Sequence, residues 1–269
     1  MLKILLTNDD GIHAPGLAAL YNAIKGLGDI WIVAPDREKS AVGHGITITD
    51  PLRYTEVKYF DAKNVFTLNG TPVDCVKFAV KKLMDNPPDI VFSGINLGEN
   101  AGINILYSGT IAGAVEGAIL GIPSFAFSLT TYKNPCFDLS GEVAKLIIKF
   151  ALENKEKMHD FLFNINVPNI SLNNVKDIKL TSQGRSEFNE DFDERQDAFG
   201  RKYYWLTGNK TIENAREDSD EKVLRDSCIS FTPLHYDMTD YSALGMNTEK
   251  KDYKRYLEFI KYLKFKIEI

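Results

Sequence analysis

Cysteine is scarce in this chain: Cys75, Cys136 and Cys228 are the three among 269 residues, an odd number with no CxxC spacing. That excludes a disulfide framework and a zinc knuckle and fits a reducing compartment. Long apolar runs are missing as well. The run Ile4-Leu5-Leu6 is cut off by Asn8-Asp9-Asp10, too short for the core of a signal peptide or for a membrane span. A cytoplasmic protein with no membrane contact is the expectation. Positive charge is not in excess either; the formal net charge is −5, so no global basic field advertises nucleic acid as a partner. The exception is local, since Lys250, Lys251, Lys254, Arg255, Lys261, Lys264 and Lys266 fall on a C-terminal segment with helical apolar spacing. This reads as the solvated face of an amphipathic helix, with membrane or polynucleotide contact as the alternative. No Walker loop or GxGxxG turn follows the first apolar run and no GxSxG elbow occurs, which disfavours an ATPase, a dinucleotide oxidoreductase and a serine hydrolase. Internal repeats and low-complexity tracts are absent.

What is present is ordinary globular material, 44% apolar and 26% charged, in a chain long enough to bury a sizeable interior. Over the first 130 or so residues short apolar runs alternate with helical patterns, the mark of a parallel sheet with crossover helices. Strands are expected at Leu2 to Leu6, Ile30 to Ala34, Val65 to Leu68, Asp89 to Phe92 and Ser124 to Ser128. Helices are expected from Pro15 until Gly28 stops the pattern, from Pro72 to the Pro87-Pro88 break, and from Thr110 to Leu120. Beyond Ser140 come a helix carrying Val143, Leu146, Ile147 and Phe150, then strands near Leu162 to Val167, Ile178 to Thr181, Lys202 to Leu206 and Cys228 to Thr232. The acidic stretch Ser186 to Arg195 reads as a mobile loop or a protruding arm. The expected architecture is a three-layer, doubly wound α/β fold with a mostly parallel sheet. Residues 1–135 form its core; residues 136–269 complete it and add a C-terminal arm and helix for oligomerisation. Tyr253, Tyr256, Leu257, Ile260 and Leu263 form the apolar stripe of that helix, expected to pack on a neighbouring subunit.

In an open parallel sheet, ligands gather at the carboxyl ends of the strands. Three loops there are polar: Asn8-Asp9-Asp10-Gly11, Asp36 to Ser40, and Ser93-Gly94-Ile95-Asn96. Adjacent carboxylates with no lysine or arginine close in sequence repel each other unless a cation lies between them. Oxygen-bearing neighbours such as Ser40 and Asn96, without a His or Cys cluster, favour magnesium or manganese over zinc. The alternative is that Asp9 and Asp10 only shape a turn before the helix at Pro15.

A second constellation, Asn96-Leu97-Gly98-Glu99-Asn100-Ala101-Gly102 followed by Tyr107-Ser108-Gly109-Thr110, places glycines and hydroxyls at a helix start, where free amides bind phosphate. Against this, Ser108 or Thr110 could merely cap the helix, with Ala112, Gly113, Ala114 and Gly117 serving tight packing. His44, between Gly43 and Gly45, could donate a proton or bind phosphate, or be a loop residue with a local hydrogen bond. The candidate phosphate-binding residues are Asn8, Gly43, His44, Ser108, Gly109 and Thr110; the candidate catalytic residues are Asp9 and Asp10.

Taken in order along the chain, Leu5-Leu6-Thr7-Asn8-Asp9-Asp10-Gly11-Ile12, Val33-Ala34-Pro35-Asp36-Arg37, Leu68-Asn69-Gly70-Thr71-Pro72, Ser93-Gly94-Ile95-Asn96, Tyr107-Ser108-Gly109-Thr110, Asn166-Val167-Pro168-Asn169 and Thr232-Pro233-Leu234 resemble the SurE (survival protein E) family of nucleotidases. The resemblance implies a 5′/3′-nucleotidase acting on nucleoside monophosphates, with some members also accepting short polyphosphate. It implies one divalent ion per subunit, magnesium or manganese, held at the positions of Asp9, Asp10, Ser40 and Asn96. A homodimer or homotetramer with exchanged C-terminal elements is implied too. From Asp218 to Ser227 the sequence departs from the family pattern, with Ser227-Cys228 where a Gly-Tyr pair is usual, which bears on the local C-terminal geometry and not on the metal site. The expected chemistry is in-line displacement by water with Asp9 or Asp10 as its base, direct attack by Asp9 being the variant. A nucleotide-binding sensor without turnover is the rival.

Overall fold

The structure is a computed structural model that describes residues 1–185, 187–211, 216–239 and 251–267, without the side chains of 187–188, 209–211 and 251–257. In chain order the elements are β1 (Lys3–Thr7), α1 (Pro15–Ile24), β2 (Asp29–Pro35), β3 (Tyr54–Glu56), β4 (Asn64–Leu68), α2 (Pro72–Phe78), β5 (Ile90–Leu97), α3 (Gly109–Ile119), β6 (Ser124–Leu129), α4 (Asp138–Glu153), β7 (Leu162–Val167), β8 (Ile178–Leu180), β9 (Glu187–Gln196), β10 (Lys202–Thr211), α5 (Asp220–Arg225), β11 (Ile229–Pro233) and α6 (Lys251–Ile267). Nine strands make one sheet in the order β3-β4-β2-β1-β5-β6-β7-β11-β8. Every pairing in it is parallel except β3 with β4 and β7 with β11. The fold is thus the α/β, mostly parallel architecture that the alternating pattern predicts.

Burial explains the strand sequences. All residues of β6 and β7 are buried, as required of strands covered by helices on both faces. On one face α1, α4 and α6 enclose the larger core, with Leu17, Leu20, Val143, Ile147, Phe259 and Leu263 against Ile4, Leu6, Phe92 and Phe125. On the other, α2 and α3 cover Leu5, Val33, Val91 and Ala126. Crossovers leave β1 for β2 and β4 on one side, and the chain then returns to β5 on the other. The topological switch point therefore lies between β1 and β5, whose paired ends are Thr7 and Ser93.

Several expectations shift. Helix α1 ends at Ile24 rather than before Gly28, because Gly26 takes a left-handed turn at φ 91°. The helix after Pro72 keeps α geometry to Phe78 and widens into a π-type turn over Ala79–Leu83. Strand β5 runs on to Leu97, with a register shift against β6 between Ser93 and Asn96, so Asn96 belongs to a strand end and not to a loop. The stretch read as a loop or arm is an arm: β9 pairs antiparallel with β10 in a two-stranded sheet separate from the main one. Strand β3 and helix α5 have no counterpart in the sequence reading. Of the strands after residue 135, β7, β11 and β8 join the main sheet and β9 and β10 form the separate arm. In α6, Ile260 and Leu263 are buried in the larger core beside Phe259, whose ring lies 4.9 to 5.6 Å from those of Phe150, Phe161 and Phe163. Tyr253, Tyr256 and Leu257 lie outside the described side chains. Among the described residues no helix is long and apolar enough to cross a membrane.

Candidate active site

A cleft of about 390 Å³ opens at the switch point, and Asp9, Asp10, Glu38, Ser40, Asn96 and Ser108 line it. They arrive from three strand ends and one helix start, as sheet topology dictates. Asp9 and Asp10 follow β1; Glu38 and Ser40 follow β2; Asn96 closes β5; Ser108 precedes α3.

Asp9 is almost fully buried and its carboxylate accepts a hydrogen bond from the Thr110 hydroxyl. Burial pushes its pKa up; the Thr110 hydroxyl and the backbone N–H groups of Thr110 and Gly109 pull the other way. The first turn of α3 is therefore directed at this carboxylate. Its closeness needs a glycine, since a Cβ on Gly109 would stand 2.7 Å from Asp9 Cβ and 2.9 Å from its Oδ2. In the 108–110 segment Ser108 caps α3 by accepting from the Ile111 amide at 3.2 Å, and the Thr110 hydroxyl engages Asp9. The small residues also serve packing, a Cβ on Gly117 being placed 2.3 Å from Ser124 Oγ.

Asp10 accepts no hydrogen bond among the described residues, and burial, then Asp9, then Glu38 push its carboxyl up to about 7. Two carboxylates whose ionisation is opposed in this way suit a bound cation. Asn96 commits its amide nitrogen to Gly98 O at 2.8 Å and Leu97 O at 3.3 Å, leaving its amide oxygen as an acceptor. Ser40, exposed, donates to Glu38 Oε1 at 2.7 Å. Beneath the cleft, Thr7 Oγ1, Asn8 Oδ1 and Ser93 Oγ are buried without a partner among the described residues. Among those residues no group of three or more His, Cys, Asp or Glu is placed to hold a metal. The donors here are two carboxylates completed by amide and hydroxyl oxygens, a set that fits a hard ion that keeps part of its water, as magnesium and manganese do.

Five sequence-selected residues are not among those lining the cleft: Gly109 and Thr110, which lie behind it against Asp9, and Asn8, Gly43 and His44. Asn8 is buried and donates to Gly11 O at 2.9 Å. Gly43 donates its amide to Tyr107 O at 3.0 Å. His44 Nε2 lies 3.1 Å from Glu116 Oε2, whose other oxygen is 2.5 Å from Lys77 Nζ. Glu116 is buried in α3, and these two partners hold its pKa low against the effect of burial. His44 thereby ties the Ser40 loop to α3, two helical turns from Gly109.

A family model described as survival protein SurE matches residues 4–190. This chain belongs to the SurE family. It is 45% identical over 244 residues to a protein named 5′-nucleotidase SurE from Syntrophus aciditrophicus, covering 90% of this chain and 91% of that one. The protein of the same name from Alkaliphilus metalliredigens is 41% identical over 259 residues, covering 93% and 100%. The crystal structure of the SurE protein from Aquifex aeolicus superimposes with a TM-score of 0.75 at 38% identity, covering 95% of this chain and 99% of that one.

The SurE cleft also contains residues to which sequence reading gave no role. Asn100, Asn104, Tyr107 and Tyr132 line it. Asn100 is fixed from behind, its amide donating to Asn166 Oδ1 at 2.8 Å and its carbonyl accepting from Asn164 Nδ2 at 2.7 Å. That gives the Asn166-Val167-Pro168-Asn169 motif a purpose, positioning a loop of the SurE site from β7. Tyr132 follows β6, and inspecting the residues after that strand, as was done for β1, β2 and β5, would have found it.

Proposed function

We propose that this chain is a divalent-metal-dependent nucleotidase that removes phosphate from nucleoside 5′- and 3′-monophosphates. The observation carrying the proposal is the pair Asp9 and Asp10 at the β1–β5 switch point, facing oxygen donors from Asn96 and Ser40. The names of the relatives, 5′-nucleotidase SurE, support the substrate class. Asp9, Asp10, Asn96 and Ser40 would hold one magnesium or manganese ion, which would supply charge neutralisation on the phosphate oxygens during displacement at phosphorus. Thr110 and the Gly109 amide keep the Asp9 carboxylate in one place, while the Ser108 hydroxyl reaches a nonbridging phosphate oxygen. Asp10, with no protein donor on its carboxylate, takes the proton from the attacking water. The water oxygen bonds to phosphorus, the ester P–O bond breaks, and the departing alkoxide is protonated from solvent.

Short polyphosphate is a weaker candidate here, because no lysine or arginine is among the residues lining the cleft. Phosphate release from UMP or AMP in manganese, lost on adding a chelator, is the expected result. Tight nucleotide binding without any release would instead identify a sensor.

Oligomerisation, as a dimer or tetramer with exchanged C-terminal parts, belongs to the same proposal. Its support is the arm β9–β10, which leaves Phe192, Tyr204, Trp205 and Leu206 more than half exposed. A two-stranded ribbon is marginal in water unless something covers it, and neighbouring residues of a strand serve both of its faces. Light scattering should give a mass of at least two chains for the wild type and a smaller one after Trp205→Ser with Leu206→Ser; a monomeric wild type would refute the assignment.

A further inference from the structure

We propose that Tyr107 and Tyr132 form a stacking platform for the nucleobase, an inference that rests on the nucleotidase reading above. Both rings line the cleft that holds Asp9, Asp10 and Asn96. Tyr107 is 57% exposed and Tyr132 79% exposed, so neither gains much from packing in the fold. Each is nonetheless placed by the site's own backbone. The Gly98 amide donates to Leu129 O at 2.9 Å and Thr131 O at 3.0 Å, tying the segment after β5 to the segment after β6. A Cβ on Gly98 would stand 2.3 Å from Tyr132 Cζ, so the ring is laid against the turn that also fixes the Asn96 amide. Tyr107 immediately precedes Ser108, and its carbonyl anchors the Ser40 loop through the Gly43 amide. The two rings are thus borne by the segments that carry the phosphate and metal donors.

The chemistry of the remaining lining selects the occupant. Its charged side chains are the carboxylates of Asp9, Asp10 and Glu38, with no lysine or arginine among the described lining residues. A second anionic group on the substrate would be repelled there, whereas an uncharged heteroaromatic ring finds π-faces and the amide of Asn104, which both donates and accepts. Because every base offers a π-face, stacking of this kind tolerates base identity. The cleft should therefore favour nucleotides over non-aromatic phosphomonoesters and discriminate weakly among bases.

The test compares kcat/KM for UMP and AMP with that for ribose 5-phosphate, in manganese, for wild type, Tyr107→Ala, Tyr132→Ala and Tyr132→Phe. Wild type should prefer both nucleotides. Removing one stacking ring should lower the nucleotide to ribose 5-phosphate ratio about tenfold, chiefly through KM, and Phe should restore the Tyr132 loss, since stacking on one aromatic side chain is worth a factor of about 5 to 150. A ratio unchanged within about twofold in both alanine variants, or a Phe variant as impaired as Ala, would overturn the platform. A wild type that hydrolyses ribose 5-phosphate as well as nucleotides overturns it too, while leaving the phosphatase reading standing. Release from none of the three substrates ends both.

Discussion

Asp9→Asn is expected to lower phosphate release by about a thousandfold or more while leaving the fold in place, the scale of loss seen when one preorganised electrostatic group is removed from an active site. The substitution is nearly isosteric, and the Thr110 hydroxyl that now donates to Asp9 Oδ1 can donate to the amide oxygen instead. What disappears is the charge. In the wild type that charge is kept almost wholly out of water, and burial works against it while Thr110 and the α3 amides favour it. A protein that spends a helix start on stabilising one buried carboxylate uses its ionised form. Steady-state phosphate release with manganese, beside a circular dichroism melt, separates loss of function from loss of fold. Retention of more than about a tenth of the wild-type rate would refute the assigned role.

The second large effect concerns stability, and its sign depends on pH and on the ion. Burial and the charges of Asp9 and Glu38 push the Asp10 carboxyl from its ordinary 3.8 to about 7. Between those values the unfolded chain has released the proton and the folded chain still holds it. The metal-free fold thus loses stability as pH rises through that window. Asp10→Asn carries no such penalty. In chelator the variant should melt with the wild type near pH 4 and above it near pH 8, the gap opening between about 4 and about 7. Saturating manganese should reverse the ranking near pH 8, because ligand at a thousandfold excess over Kd adds about 4 kcal/mol to the form that binds it. A variant that gains as much from manganese as the wild type would contradict the two-carboxylate site.

Much of this site was legible from sequence because its parts obey a positional rule. Asp9, Asp10, Ser40 and Asn96 each stand just beyond or at the end of an apolar run, and parallel strands bring such ends together. The reading faltered where tertiary context decides. His44, between its glycines, was open to a role as proton donor, phosphate ligand or loop residue, and the partner it has, a buried carboxylate 72 residues away, Glu116, is invisible to local pattern. Tyr132 stands three residues beyond β6, where the same positional rule reaches it, but its place against Gly98 depends on the fold. In the fold, the acidic segment 187–196 lacks apolar alternation and is a strand only because β10 pairs with it. For helix α6 the periodicity was legible, but an apolar stripe says that something must cover it, not which chain supplies the cover.

The β1–β5 pairing carries one more consequence. Ile4 lies beside Ile90 and Thr7 beside Ser93, contacts that close a loop of 86 residues. Chain closure over such a span is slow relative to local helix and hairpin formation. A nascent or partly folded molecule that has assembled β1, β2 and β4 owns both aspartates but lacks Asn96, Ser108 and the α3 start, so it stays inert. Catalytic competence in this protein is therefore a late event in its maturation, and the appearance of turnover during refolding would serve as a clock for its longest-range strand junction.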